Sequence, residues 1–223
     1  MNKKLEDNLG KLVMLVVFGA MAVNQAATVV SLIQHRAEIP AWQLSLMSLV
    51  ASTIFLFLIL FYTLTRLPPR DTAAGVEPRL TAIAGTFIMT LIVVLPPGTI
   101  GPELRLLSAV MIILGTILSG YCIRRLGRSF SIMATARKLV VDGPYRIIRH
   151  PLYGAELVTI IGIAIGHWSI ASTALTAVWL ALQIRRAQNE ERVLRAAFPE
   201  YSDYARDVPM LLPTFMLPNL RRA

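Results

Sequence analysis

Four stretches of this chain, Lys11 to Ile33, Trp42 to Thr65, Leu80 to Leu95 and Leu104 to Ile123, contain no internal Asp, Glu, Lys or Arg apart from Arg105 near the start of the last. Roughly 20 apolar residues are what a helix needs to cross the hydrocarbon core of a bilayer, and short of a closed barrel nothing else satisfies the backbone there. A fifth apolar block, Leu152 to Ile184, is too long for one span. Gly166, His167, Trp168 and Ser169 interrupt it midway, so it reads as a helical hairpin. With 55% of 223 residues hydrophobic and 16% charged, the chain falls outside the composition of soluble domains. The expected fold is an all-α integral membrane protein: four apolar spans, a cytoplasmic connecting segment, a C-terminal hairpin over 152–184 and a C-terminal helix. Residues 1–223 form one membrane domain, with 1–123 as transmembrane scaffold and 124–223 as the part that carries chemistry. Pro40, Pro68, Pro69, Pro78 and the run from Pro96 to Pro102 mark the connections.

The formal net charge is +9, but where the basic residues lie matters more than their total. Twenty of the 22 Lys and Arg fall in the N-terminus, the second connection, the segment after the fourth span and the C-terminal part that ends with Arg221 and Arg222. Arg36 and Arg105, in the first and third connections, are the other two. The bias places both termini and residues 124–151 in the cytoplasm, on a plasma or inner membrane. It accounts for the charge through anionic lipid head groups, without a nucleic-acid partner. Residues Arg124 to Val141, basic with Leu126, Phe130, Ile132 and Met133 interleaved, are expected to lie along the interface with their arginines toward phosphates. The start of the chain has a signal-like outline, yet Glu6 and Asp7 precede an apolar run that continues to Ile33, so an uncleaved first span is expected. Asn24, Gln25 and Gln43 read as hydrogen bonders between helices. The lone Cys122 excludes an intramolecular disulfide and reads as a small apolar filler. His35, His150 and His167 fall in different loops or on different sides, so no metal site is expected.

Against this background the stretch DGPYRIIRHPLYGAE, residues 142–156, stands out at the lip of the hairpin. Asp142-Gly143-Pro144 is a turn signal, and Pro151 suits the first turn of a helix, where a missing N–H costs nothing. Arg149 and His150 then sit at the positive end of that helix's dipole, a place suited to an anion. Tyr153 and Glu156 share a helix face, and Gly154 leaves room for close approach to the backbone. On the returning arm Glu190 and Glu191 lie just beyond the apolar part, level with Arg149 and His150 if the arms are antiparallel. Read singly, the two glutamates are i,i+4 partners of Arg186 and Arg195, His150 is a helix-start hydrogen bonder, and Tyr145 and Tyr153 are interfacial anchors.

Read together, the residues resemble the isoprenylcysteine carboxyl methyltransferase family and related phospholipid methyltransferases. One motif, G-P-Y-R-x-x-R-H-P-x-Y-G, runs from Gly143 to Gly154. The second comprises Glu190-Glu191-Arg192-Val193-Leu194, then Phe198 to Tyr204, then Val208 with Pro209 and Pro213. Pro199 replaces the glycine usual after the phenylalanine, which stiffens the turn before Tyr201. The resemblance implies an S-adenosylmethionine-dependent methyltransferase with the cofactor held at the cytoplasmic membrane surface. The backbone near Leu139 and Val140 would face the adenosine, while His150, Tyr153 and Glu190 hold its polar part. Gly143, Tyr145, Gly154 and Glu191 complete the implied cofactor set. Arg149, Arg186 and Glu190 are the candidates for the reaction itself, and Tyr201, Tyr204 and Arg206 for the acceptor. These residue types suit the ligand, since Arg149, His150 and the helix N-terminus answer a carboxylate and the glutamates answer an ammonium or ribose hydroxyls. The implied acceptor is lipophilic or small. A prenylcysteine-like carboxylate follows from the resemblance, and a phospholipid amine or a small thiol stays open. The competing class is a transporter or an assembly partner that kept the fold. Transport is the weaker reading, since Glu156 and His167 are the only candidate ionisable groups inside the apolar block.

Overall fold

The computed structural model describes residues 3–39, 42–95 and 98–213, with the backbone alone for 3–6. Pro40, Pro96, Pro97, Arg221 and Arg222 lie outside the described residues. The protein is an all-α integral membrane protein, and four of its helical segments are long and apolar enough to cross a bilayer. Helix α1 covers Lys3–Gln34, α2 Trp42–Thr65 and α4 Pro102–Leu126. The third span begins as α3, Glu77–Phe87, and tightens into a 3-10 helix over Ile88–Val94. That change matters for reach: a 3-10 turn rises about 2.0 Å per residue against 1.5 Å, so 18 residues extend about 30 Å, the thickness of the hydrocarbon core.

The fifth apolar block is a hairpin of α5, Pro151–Gly166, and α6, Ile170–Ala197, turning at His167 to Ser169 as the interruption foretold. Ser169 caps α6, its hydroxyl accepting from the Ser172 N–H at 3.1 Å while the Ser172 hydroxyl accepts from the Ser169 N–H at 3.2 Å. A short α7, Tyr201–Asp207, follows the break at Pro199. In the bundle α1 packs on α2, α2 on α4 and α4 on α5, while α3 packs on α6. The α4–α5 interface is the closest. A Cβ on Gly115 would stand 2.4 Å from Thr159 Oγ1 and 2.5 Å from its backbone N, and one on Gly162 would stand 2.9 Å from Ser108 O. In lipid, where apolar side chains gain nothing by leaving hydrocarbon for protein, such small-residue contacts let backbones approach and carry much of the packing. Gly115→Leu is expected to lower the thermal unfolding midpoint in detergent by the equivalent of about 1–3 kcal/mol. Gly10→Leu, at a position with open space around it, should not. Equal midpoints for the two variants would count against close packing at this interface.

Residues 127–141 do not form one continuous amphipathic element. They fold back under the bundle, where β2, Thr135–Ala136, pairs antiparallel with β1, Asp71–Thr72, of the second connection. Phe130, Ile132, Ala134 and Ala136 are buried. Arg124, Arg125, Arg128 and Lys138 are exposed, but Arg137 is not: its side chain is enclosed, donating to Leu67 O and, at 2.6 Å, to Asp7 Oδ1. The interfacial expectation is thus corrected for Arg137, which ties the segment to the starts of the first span and the second connection. Of the three amides, Gln25 bonds across helices to Leu49 O at 3.4 Å, while Asn24 and Gln43 are exposed.

Candidate functional site

The two hairpin arms face each other in register. On α5 the residues at helical spacing, His150 at its entry, then Tyr153, Glu156 and Ile160, line one wall of a cavity of about 450 Å³, and on α6 Glu190, Arg186, Gln183 and Trp179 line the opposite wall. The layers are locked by cross-contacts. Tyr153 OH donates to Glu190 Oε1, the Arg186 guanidinium lies over the Tyr153 ring at 5.0 Å, and Gln183 Nε2 donates to Glu156 Oε2 at 2.9 Å. The two distant polar clusters therefore converge, because antiparallel arms of one hairpin bring residues equally far from the turn to the same depth.

At the mouth, His150 Nδ1 lies 3.8 Å from Glu190 Oε2, and its ring stacks on Tyr153 with centroids 5.6 Å apart. Its Nε2 is 3.4 Å from Glu191 Oε1 without hydrogen-bond alignment and is left without a partner. Arg149 turns the other way. Its Nε and Nη2 both meet Glu191 Oε1 at 2.7 Å, and Nη1 donates to Ala205 O, at 2.7 Å, and to Val208 O. The backbone N–H groups of Arg149 and His150 donate to Pro209 O and Met210 O, so the Arg-His pair and the tail after α7 hold each other. Burial works against the Glu191 carboxylate, but His150 and Arg149 outweigh it and hold its carboxyl down at about 2. Burial pushes the phenols of Tyr145 and Tyr201 well up and that of Tyr204 up to about 12, so all three stay hydrogen-bond donors. Tyr204 spends its proton on Tyr145 O, whereas the hydroxyls of Tyr145 and Tyr201 are buried without partners.

Of the residues singled out in the sequence, Leu139, Val140, Tyr145, Arg149, His150, Tyr153, Arg186, Glu190, Tyr201 and Tyr204 line this cavity. Glu191 stands behind His150, pairing with Arg149 and, at 3.3 Å, Arg195. Gly143 shapes the turn, with φ +59°, a conformation open to glycine at no steric cost. A Cβ on Gly154 would make only an ordinary contact, 3.7 Å from Ile148 Cδ1, so no ligand-sized approach depends on it in this arrangement. Arg206 is not brought to the cavity; it lies on the exposed side of α7, paired with Asp203. The sequence reading passed over Gln183 and Gly85. A Cβ on Gly85 would stand 2.7 Å from Arg186 Cδ, so this glycine of the third span makes room for the arginine. It also passed over the first three helices as cavity walls: Phe18, Met21, Phe55, Ile59 and Met89 form the apolar half of the chamber.

Comparison with known proteins fits this picture. The model of the phospholipid methyltransferase family matches residues 104–201, from α4 to the start of α7. The cobalt-zinc-cadmium resistance protein CzcN of Cupriavidus metallidurans is 36% identical over 115 residues, 49% of this chain and 52% of that protein. The nickel-cobalt-cadmium resistance protein NccN of Alcaligenes xylosoxydans xylosoxydans is 34% identical over 116 residues, 50% of this chain and 54% of that protein. The protein-S-isoprenylcysteine O-methyltransferase B of Arabidopsis thaliana is 36% identical over 110 residues, 46% and 56% respectively. The chain thus spans about half the length of the curated relatives it matches. Over residues 104–201, which hold the hairpin and both polar clusters, the chain is similar to the phospholipid methyltransferase family.

Proposed function

We propose that this protein is an S-adenosylmethionine-dependent methyltransferase of the membrane, acting on a lipophilic or small acceptor. One observation carries the reading: the hydroxyls of Tyr145 and Tyr201 and Nε of Arg186, all buried without partners, belong to residues lining one cavity with the His150 imidazole and the Glu190 carboxylate. Buried polar atoms are nearly always satisfied, and several orphans around one void call for a polar ligand. The donor set suits the proposed cofactor, because an imidazole beside a helix N-terminus answers its carboxylate and Glu190 answers its ammonium or ribose hydroxyls. The cavity volume also lies within the roughly 300–1,000 Å³ of cofactor sites.

When bound, the cofactor supplies a methyl carbon made electrophilic by a positively charged sulfur. The protein's own tasks are then alignment and exclusion of water, which can lower a barrier by roughly 7–11 kcal/mol. Leu139 and Val140 line the chamber and would face the adenosine. Arg149 acts at one remove, fixing Glu191 and the tail that backs His150. Arg186 has its Nε buried without a partner beside the cavity and supplies positive charge between Glu190 and Glu156. Tyr201 and Tyr204 border the acceptor. The apolar half of the chamber, built by the first three helices, receives the acceptor's hydrocarbon part. Residues 1–123 therefore do more than scaffold the later part.

Titration calorimetry of the purified protein in detergent or nanodiscs is the direct test. A saturable heat with one S-adenosylmethionine per chain is expected, and wild-type protein that gives none would defeat the reading. The cavity mouth and both termini are assigned to the cytoplasm by the charge bias. With Cys122 buried, an Arg128→Cys variant should react with an impermeant maleimide from the cytoplasmic side only and Glu38→Cys from the opposite side only; the reverse pattern would overturn the orientation.

A further inference from the structure

Below the His150–Glu190 layer the cavity holds a charge that gripping a nucleoside at the mouth does not require. Glu156 lies about 9 Å along α5 from His150, at 1.5 Å per residue, and lines the cavity where its polar end meets the apolar chamber. The titratable groups near enough to act on it electrostatically are Arg186 and Glu190 from α6, Tyr153 from its own helix, Tyr145 from the preceding loop and Cys122 from α4. Its carboxyl is oriented by a chain of donors: Arg186 Nη1 donates to Gln183 Oε1 at 2.8 Å, which turns the Gln183 amide N–H toward Glu156 Oε2 at 2.9 Å. A tie between the two arms would be made as well by a glutamine. An ionisable group in an apolar hairpin costs several kcal/mol to desolvate, and that cost points to a use for the charge or the proton.

The same geometry disfavours a carboxylate head on the acceptor. Arg186 is the cation of this layer, yet Nη1 is spent on Gln183, Nη2 on Ile132 O at 3.2 Å and its face on the Tyr153 ring, which leaves only Nε. An incoming carboxylate would meet two carboxyl groups, those of Glu156 and Glu190, for that one opposite charge. A head group that brings a proton meets a base placed to take it.

We propose that Glu156 accepts the proton shed by the methyl acceptor, and so restricts this site to acceptors whose nucleophile arrives protonated, an ammonium or a thiol on an apolar chain. The assignment rests on the methyltransferase reading above. The N–H or S–H bond gives its proton to the Glu156 carboxylate, the lone pair left behind bonds the methyl carbon, and the cofactor's sulfur keeps the pair of the bond it loses. Charge and atoms balance with no further reactant, and Glu156 returns its proton to water before the next turnover.

The full chain in phosphatidylcholine nanodiscs, given methyl-labelled S-adenosylmethionine with decylamine, decanethiol or decanoate, tests this. Two other readouts accompany transfer: cofactor affinity by calorimetry, and labelling of Glu156 by dicyclohexylcarbodiimide, an apolar reagent for buried carboxyl groups, read by peptide mass spectrometry. The amine or the thiol should be methylated and decanoate not. Glu156→Gln should keep cofactor affinity within about twofold yet lose about 100-fold or more in transfer, the scale of acid–base assistance, and Glu156→Asp should recover part of it. In the wild type, decylamine or decanethiol should slow the labelling and decanoate should not, a result that stands even if the variants fold poorly. Four outcomes overturn the role of Glu156 while leaving the cofactor reading intact. They are methylation of decanoate at the rate of the others, wild-type transfer by Glu156→Gln, labelling indifferent to acceptor, and cofactor binding with transfer to none of the three. Absence of cofactor binding by the wild type defeats the functional reading itself, and the assignment falls with it.

Discussion

Arg149→Ala is expected to lower stability by about 3–5 kcal/mol, the cost of stranding one partner of a buried ion pair. The pair is well enclosed, with side-chain exposures of 10% for Arg149 and 12% for Glu191, so solvent screening offers little relief. The loss has two sources. Glu191 is left with only His150 and the half-exposed Arg195, and the carbonyls of Ala205 and Val208 lose their donor, which frees the tail that pairs with the backbone of Arg149 and His150. Arg149→Lys should fall between, since an ammonium keeps the charge but cannot span a carboxylate and two carbonyls as a guanidinium fork does. The effect carries a pH signature. The Glu191 carboxyl is held at about 2 in the folded protein, against about 4.3 in an unfolded chain. A depressed value means that its contribution is fully present above the unfolded value and is lost as pH falls from there toward 2. Wild-type stability should therefore decline more steeply with acid across that window than that of Arg149→Ala. A variant with the wild-type midpoint and the same acid profile would show that the pair holds nothing together.

Glu190→Ala should remove most of the affinity for S-adenosylmethionine while leaving the fold standing. Glu190 keeps 24% of its side chain accessible at the cavity and ties down no backbone; its contacts are Tyr153 OH and, at 3.8 Å, His150. Hydrogen bonds to charged groups contribute about 1.5–3 kcal/mol each, so loss of one to the ligand predicts a Kd raised by at least tenfold and about 100-fold at the upper end. The comparison with Arg149→Ala is informative because the residues are neighbours in space with opposite assignments. One variant should unfold early, and the other should unfold normally and bind poorly. Glu190→Gln, which preserves a partner for Tyr153 without the charge, should lose affinity by a smaller factor. An unchanged Kd in Glu190→Ala would remove this residue from the cofactor site.

The spans were legible because the requirement that sets them is local: about 20 residues without charge, wherever they sit in the chain. The hairpin turn was legible for the same reason, four residues breaking an apolar run. Helix faces were not. Val23, Phe57 and Val93 are exposed on the bundle's outside while Phe18, Leu56 and Ile92 are buried inside it, and the two sets are chemically alike. A helix facing lipid needs no polar side, so its sequence carries no stripe to say which face meets protein. That is why Gly85, Met21 and Phe55 went unrecognised as cavity walls, and why the fit of Gly115 against Thr159 shows only in three dimensions. Charged residues misled in the other direction. Arg137 read as an interfacial arginine and Arg206 as an acceptor candidate, yet the first is enclosed and the second pairs with Asp203 in solvent.

The amino-acid order by itself determined that the chain lives in a bilayer, which stretches are apolar enough to cross it, and which polar residues stand at equal depth on the two arms of an antiparallel hairpin. Those features follow from hydropathy and spacing along one chain. Only the tertiary structure decided that Arg149 ties Glu191 to the tail while His150 stacks on Tyr153 at the cavity mouth, that Gln183 steadies Glu156, and that the first three helices complete the chamber. Such choices depend on side-chain direction and on which neighbours fill the space around each helix, and in a medium as apolar as the protein interior the sequence has no solvent contrast with which to announce them.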